Sequence, residues 1–251
     1  MPRDLGTALL LLAPLLGIPA LPAQAQALRM MEGPRAPLGN GTAFAWVALN
    51  AQGAPASMGV SISNEALAGL PGEDGDVVLQ LPDAARQAGY DHVWLNWNPH
   101  GHEPPGVYGV PHFDVHFYRI SVAERERIDP SDPDYDVKLA RAPAQGSIPP
   151  GYVQAPGGVP RMGAHWVQAN APEFTGGRFE RTLVLGSQDG QVIFVEPMVT
   201  REFLLSRTEV TLPVQTPERS PVWWPQSYEI SFRDGVHGVA LNGLRPLQAG
   251  A

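Results

Sequence analysis

Residues 112–118 read His112-Phe113-Asp114-Val115-His116-Phe117-Tyr118, and their alternation decides the fold class. On an extended chain successive side chains point to opposite faces. Phe113, Val115 and Phe117 therefore share one face, which is core. His112, Asp114, His116 and Tyr118 share the other, a polar and aromatic face suited to carry a site. The strand is expected over 112–122, with 90–98 as its neighbour and 99–111 folding back between them.

Outward from this strand the same grammar repeats. Residues 42–49 and 57–63 read as strands joined by the turn Asn50-Ala51-Gln52-Gly53, and 77–81 alternate like a third. Asn64 is expected to cap a short helix over 65–70, ended by Pro71; 82–88 is a second, opened by Pro82 and stopped by Gly89. Asp189-Gly190 lies between strands 178–186 and 191–196, and Asp234-Gly235 between 227–232 and 236–241. Both are hairpin signals, because a two-residue turn of this kind needs positive φ at its centre. Thr200 caps a short helix over 202–207. Glycine and proline, 27 each, suit short strands and tight turns rather than a helical bundle. The expected fold is all-β or β-dominated, sandwich or barrel-like, with a few short helices.

The first 25 residues are expected to be a signal peptide: Arg3, then the apolar run Leu5 to Leu16, then Ala23-Gln24-Ala25 or Ala25-Gln26-Ala27 for cleavage. Pro14, Gly17, Pro19 and Pro22 break the run, which is too short for a spanning helix. A secreted or periplasmic chain without a membrane anchor follows. Residues 26–40 read as a leader and 41–251 as a single β-rich domain, with a long Pro/Gly-rich loop at 129–162 expected to be mobile or to act as a lid. The chain has no cysteine, so stability must come from a packed core, helped by a metal or by homo-oligomer formation. A net charge of −8 without a Lys/Arg cluster argues against nucleic acid or anionic membrane as partners.

Four of the seven histidines, at 100, 102, 112 and 116, fall within residues 94–118, with Glu103 and Asp114 among them. Imidazoles and carboxylates are the donor set of zinc and non-haem iron sites. His100-Gly101-His102 on extended chain places two imidazoles on one face, about 6.8 Å apart at the backbone. His112 and His116 lie about 13.6 Å apart along a strand, too far to share an ion unless a bulge intervenes. Either the strand is distorted, or one of the two is a ligand and the other lines the pocket. His165 and Glu196 are the candidates from outside the hairpin. The metal-ligand candidates are thus His100, His102, His112, His116 and His165; Glu196, Glu103 and Asp114 are candidates for general base or for fixing a ligand's tautomer. A divalent metal is implied, zinc first, with iron or manganese also compatible, acting on a small-molecule substrate. A lone histidine is ordinarily a satisfied structural residue, and His92 and His237 are read so, at the surface or an edge. Trp94, Trp97, Tyr108, Tyr118 and Trp166 are core or site walls.

Other chemistries find little footing. No nucleophile elbow, P-loop or dinucleotide fingerprint occurs. Asp129, Asp132, Asp134 and Asp136 lack the central Gly and terminal Glu of a calcium loop and read as a solvated acidic loop.

Two blocks carry a family resemblance. The first is Trp97-Asn98-Pro99 with Gly101 to Gly106 and Pro111 to Asp114, extended by His116-Phe117-Tyr118. The second is Met162-Gly163 with His165-Trp166, then Glu196-Pro197-Met198 and Thr200. Together they resemble an uncharacterised bacterial secreted family typified by a Thermus protein under sigma-E control. The resemblance implies a β-rich fold and no established substrate, with His102, His112, His116 and His165 at its centre and His100 more replaceable. More loosely, His100-x-His102 with the later His165 is similar to cupins. Glu103 directly follows His102, however, where cupins place the carboxylate several residues on.

Overall fold

The computed structural model describes residues 28–247; the expected signal peptide lies outside the described residues. Two antiparallel sheets face each other. The first orders β1 (Arg29–Glu32), β3 (Gly41–Leu49), β4 (Pro55–Ser63), β14 (Val236–Asn242), β13 (Ser227–Arg233) and β12 (Val210–Pro213), with β2 (Ala36–Leu38) also on β3. The second orders β5 (Gly75–Gln80), β6 (His92–Asn98), β7 (His112–Tyr118), β11 (Gln191–Thr200), β10 (Arg181–Gln188), β9 (Ala164–Gln168) and β8 (Tyr152–Gln154). The described residues thus form an open β-sandwich and no closed barrel.

Both hairpins form where the sequence marks them. Asp189 and Gly190 take φ of 51° and 78°, and Asp234 and Gly235 take 51° and 77°. These values let the turn twist match the strands. The helices are short: α1 (Val122–Arg125), α2 (Tyr135–Ala140) and α3 (Arg201–Leu205). Thr200 caps α3 by accepting from the Phe203 amide at 3.1 Å.

Two local expectations need correction. The strand read to residue 122 stops at Tyr118, because Ser121 and Glu124 form a reciprocal capping box that starts α1. Asn64 does not cap a helix; it is the first residue of a single 3-10 turn, Asn64–Leu67. Ser63, at the capping position, instead accepts from the Thr42 amide. Residues 29–38 carry β1 and β2, which both pair along β3. The 129–162 connection also holds structure of its own, α2 and β8.

The core lies between the sheets. Phe113, Val115 and Phe117 point into it, beside Leu95, Val195 and Leu185 from the same sheet and Val47, Val60 and Val239 from the other. The opposite face of the second sheet is also covered. Ile128, just before the long connection, and Tyr135 within it pack on Trp94, Tyr118, Ile193 and Phe194 there. Every residue of β7 is therefore buried, polar ones included.

Phe117 is fully buried, whereas Val153 on edge strand β8 is 49% exposed. Phe117→Ala should cost about 3–5 kcal/mol of unfolding free energy by transfer and cavity terms. Val153→Ala should change it by less than about 0.5 kcal/mol. Urea titrations of both variants check the contrast, and a tolerant Phe117 site would contradict a shared core.

Candidate metal centre

The outer face of the second sheet carries two groups of three donors. One is His102, His112 and Asp114; the other is His116, His165 and Glu196. In each, three ligand atoms lie within 4.8 Å of one another. Strand geometry produces this division: His112, Asp114 and His116 alternate up one face of β7, and the rise separates the outer two.

In the first group, His112 and Asp114 sit on β7 and the 99–111 connection returns His102 to them. That return is close enough to require glycine: Gly101 has φ of 68°, and a Cβ there would stand 2.0 Å from the Tyr108 carbonyl oxygen. His102 Nε2 lies 3.3 Å from Asp114 Oδ2, and His112 Nε2 lies 3.1 Å from Asp114 Oδ1. Each ring donates its Nδ1–H to a backbone carbonyl at 2.7 Å, His112 to Val110 and His102 to Glu103. A neutral ring so held presents a bare lone pair at Nε2, the tautomer that binds metals. Those lone pairs face the lone pairs of a carboxylate. His112 Nε2 and Asp114 Oδ1 are buried and make no hydrogen bond despite their proximity. The arrangement calls for a positive charge between them.

Asn98 donates to Asp114 Oδ2 at 2.7 Å and fixes the carboxylate from behind. Burial works to raise the Asp114 carboxyl, but the His102 and His112 rings against it outweigh burial and hold the group well below the usual range. Burial likewise works to lower His102, and its contact with Asp114 wins, raising it. Phe179 and Tyr108 edge the rings, while His102 itself is 39% exposed and opens one side to solvent.

In the second group β7, β9 and β11 contribute one donor each. The register pairs Phe194 with Tyr118 and Met198 with Asp114, which sets Glu196 across from His116. His116 Nε2 stands 3.2 Å from Glu196 Oε1. His165 enters where Gly186 pairs with it on one side and with Phe194 on the other. A Cβ on Gly186 would meet the Phe194 ring at 2.0 Å, so glycine lets that ring lie across β10. Its centroid is then 4.8 Å from His116 and 5.6 Å from His165. Burial among these aromatics lowers His116 to about 3 and His165 to about 4, and pushes Glu196 well above the ordinary carboxylate value.

The remaining sequence candidates fall elsewhere. His100 is exposed and belongs to neither group. Glu103 is exposed, and it is its carbonyl, not its carboxylate, that touches His102. The reading of His92 and His237 as surface residues is corrected: both are 1% exposed. His92 stacks on Tyr118 and bonds Asp91 and Arg125, because the covering connection buries this face; His237 packs on Phe232. Asp129 and Asp132 accept from the backbone two residues on, and Lys138 pairs with Asp132. Sequence reasoning missed how the donors divide into two sets and missed Asn98. The 13.6 Å argument held the first in germ, but pairing His116 with Glu196 needs the register of β11 on β7.

A cleft of about 730 Å³ adjoins the first group. Val110, whose carbonyl holds His112, and Phe179 line it, with Leu67, Leu70 and Trp97 as apolar walls and Glu173 and Arg201 among its polar ones.

A family model described as TTHB210-like, hypothetical protein TTHB210, matches residues 50–97. That stretch spans β4, β5 and most of β6 and includes none of the six donors. Among curated proteins and solved structures nothing matches the chain. The cupin likeness gains no support from an open sandwich in which His100 stands apart from His102.

In chelator-treated protein the second group makes stability depend on pH. The fold keeps His116 and His165 neutral, whereas unfolded histidine protonates below about 6.5. Both therefore weaken the fold as pH falls through 6.5 toward their folded values of about 3 and 4. Glu196, held protonated, acts oppositely and weakens it as pH rises above 4.5. Two groups against one leave a gain of about 1 kcal/mol per pH unit between roughly pH 5 and 6.5. Urea midpoints should rise across that window, and a double His116→Gln, His165→Gln variant should lose the rise, since Glu196 alone makes stability fall with pH there. Equal slopes in both proteins would contradict buried neutral imidazoles.

Proposed function

We propose that this chain is a secreted or periplasmic metal-binding β-protein, and that His102, His112 and Asp114 hold a divalent cation used in hydrolysis or a lyase step. The observation that carries this reading is the pair of imidazole lone pairs, locked by backbone carbonyls, aimed at one ionised carboxylate. Two imidazoles and a carboxylate suit zinc first, and iron(II) or manganese(II) as well. Such an ion supplies Lewis acidity and activates water near neutral pH.

The chain supplies the rest. Asn98 orients Asp114, and Val110 and the Glu103 carbonyl orient the rings. The exposed flank of His102 leaves a side where a fourth ligand can exchange. The cleft beside Phe179 offers apolar walls for a small molecule, with the buried Glu173 carboxylate, bonded to the Tyr108 hydroxyl, as a proton acceptor at its edge. A purely structural metal is the second reading, favoured by the complete burial of His112; slow exchange of the ion would distinguish it.

Elemental analysis of exported protein should find zinc, iron or manganese. His112→Ala should lower zinc affinity more than 100-fold, and Asn98→Ala by about 10–100-fold, the usual effect of losing a carboxylate's supporting hydrogen bond. His237→Ala is the control and should leave affinity unchanged. Protein that takes up none of the three metals would end the reading. Hydrolysis of activated esters that survives chelation would remove the metal from the chemistry.

A further inference from the structure

Three strands far apart in sequence send one donor each to a buried point that the chemistry above does not use. We propose that His116, His165 and Glu196 form a second, separate cation site, and that a zinc-like ion there fastens β9 to the centre of the second sheet. The three ligand atoms lie within 4.8 Å of one another. His116 is fully buried and Glu196 is 3% exposed at the side chain. His116 Nε2 lies 3.2 Å from Glu196 Oε1, yet it and Glu196 Oε2 make no hydrogen bond. An unpaired buried polar atom costs about 1–3 kcal/mol, and an ion held by this group would give His116 Nε2 and the Glu196 carboxylate a shared partner.

The site is distinct from the first. His112 and His116 are separated by about 13 Å of strand, and the second group is the less open of the two: His116 and Glu196 are buried and His165 is half-buried, whereas His102 is exposed. Trp94, Tyr118 and Phe194 surround the His116 ring. A largely enclosed, aromatic-walled position suits a structural ion rather than one that turns over ligands.

The fold also has use for such a link. The chain has no cysteine, and the long 129–162 connection lies between His116 and His165. An ion joining β7, β9 and β11 closes that loop as a disulfide would, and ties down the segment that covers the outer face. Pairing with β10 alone gives β9 three register positions, Leu185 with Trp166 to Ser187 with Ala164.

The test counts zinc per chain after chelation and reloading, in wild type, His102→Ala, Glu196→Gln and the double variant. Two, one, one and none are expected. Zinc should raise the Tm of His102→Ala by about 5–10 °C at saturating concentration and leave the double variant unmoved. Glu196→Gln preserves shape; should it misfold, His165→Ala must lose the same equivalent. A wild type with one equivalent that Glu196→Gln and His165→Ala both retain overturns the second site and leaves the first. One equivalent that survives His102→Ala but not Glu196→Gln sinks the first site and upholds this one.

Discussion

A strand buried on both faces, with two imidazoles and a carboxylate on one of them, is the constraint from which the rest of the site follows. β7 lies between β6 and β11, its inner face against the core and its outer face under the long connection. His112, Asp114 and His116 cannot reach bulk water, so each must find a partner within the protein or through an ion. The neighbouring strands supply them: Asn98 and Glu196 lie across from His112 and His116 in the ladder. The polar face of one strand thereby organises three others and two loops.

Two carboxylates on this face show how neighbours decide protonation. Asp114 has Asn98 and two imidazoles about it and is held ionised. Glu196, equally buried, has aromatic surroundings and lies in the field of the Asp114 charge, which adds to burial in favouring its protonated form. Residues of the same chemistry two ladder positions apart therefore occupy opposite states. One group is already charged for a cation; the other must give up a proton to accept one.

Much of the fold could be read in the chain because its determinants are local. The alternation of 112–118, the two Asp-Gly turns, and the Thr200 cap each depend on a few adjacent residues. The errors fall where local signals compete. Ser121 and Glu124 end β7 four residues early, and Ser63 spends its hydroxyl on Thr42 rather than on a helix. The burial of His92 and His237 was hidden because nothing in their own segments reports that a distant stretch covers them.

The sequence by itself determined that the chain is built of strands, which residues share a face, and that its histidines and carboxylates are dense enough for a metal. It determined too that His112 and His116 cannot share one ion on a straight strand, since backbone rise is a property of the extended chain alone. Only the tertiary structure decided which donors meet. His102 joins His112 because Gly101 lets the connection turn back, and Glu196 joins His116 because β11 pairs with β7 in one register. His165 arrives through β9, forty-seven residues after Tyr118. Such long-range pairings are set by the packing of the whole sandwich, and no window of adjacent residues contains them.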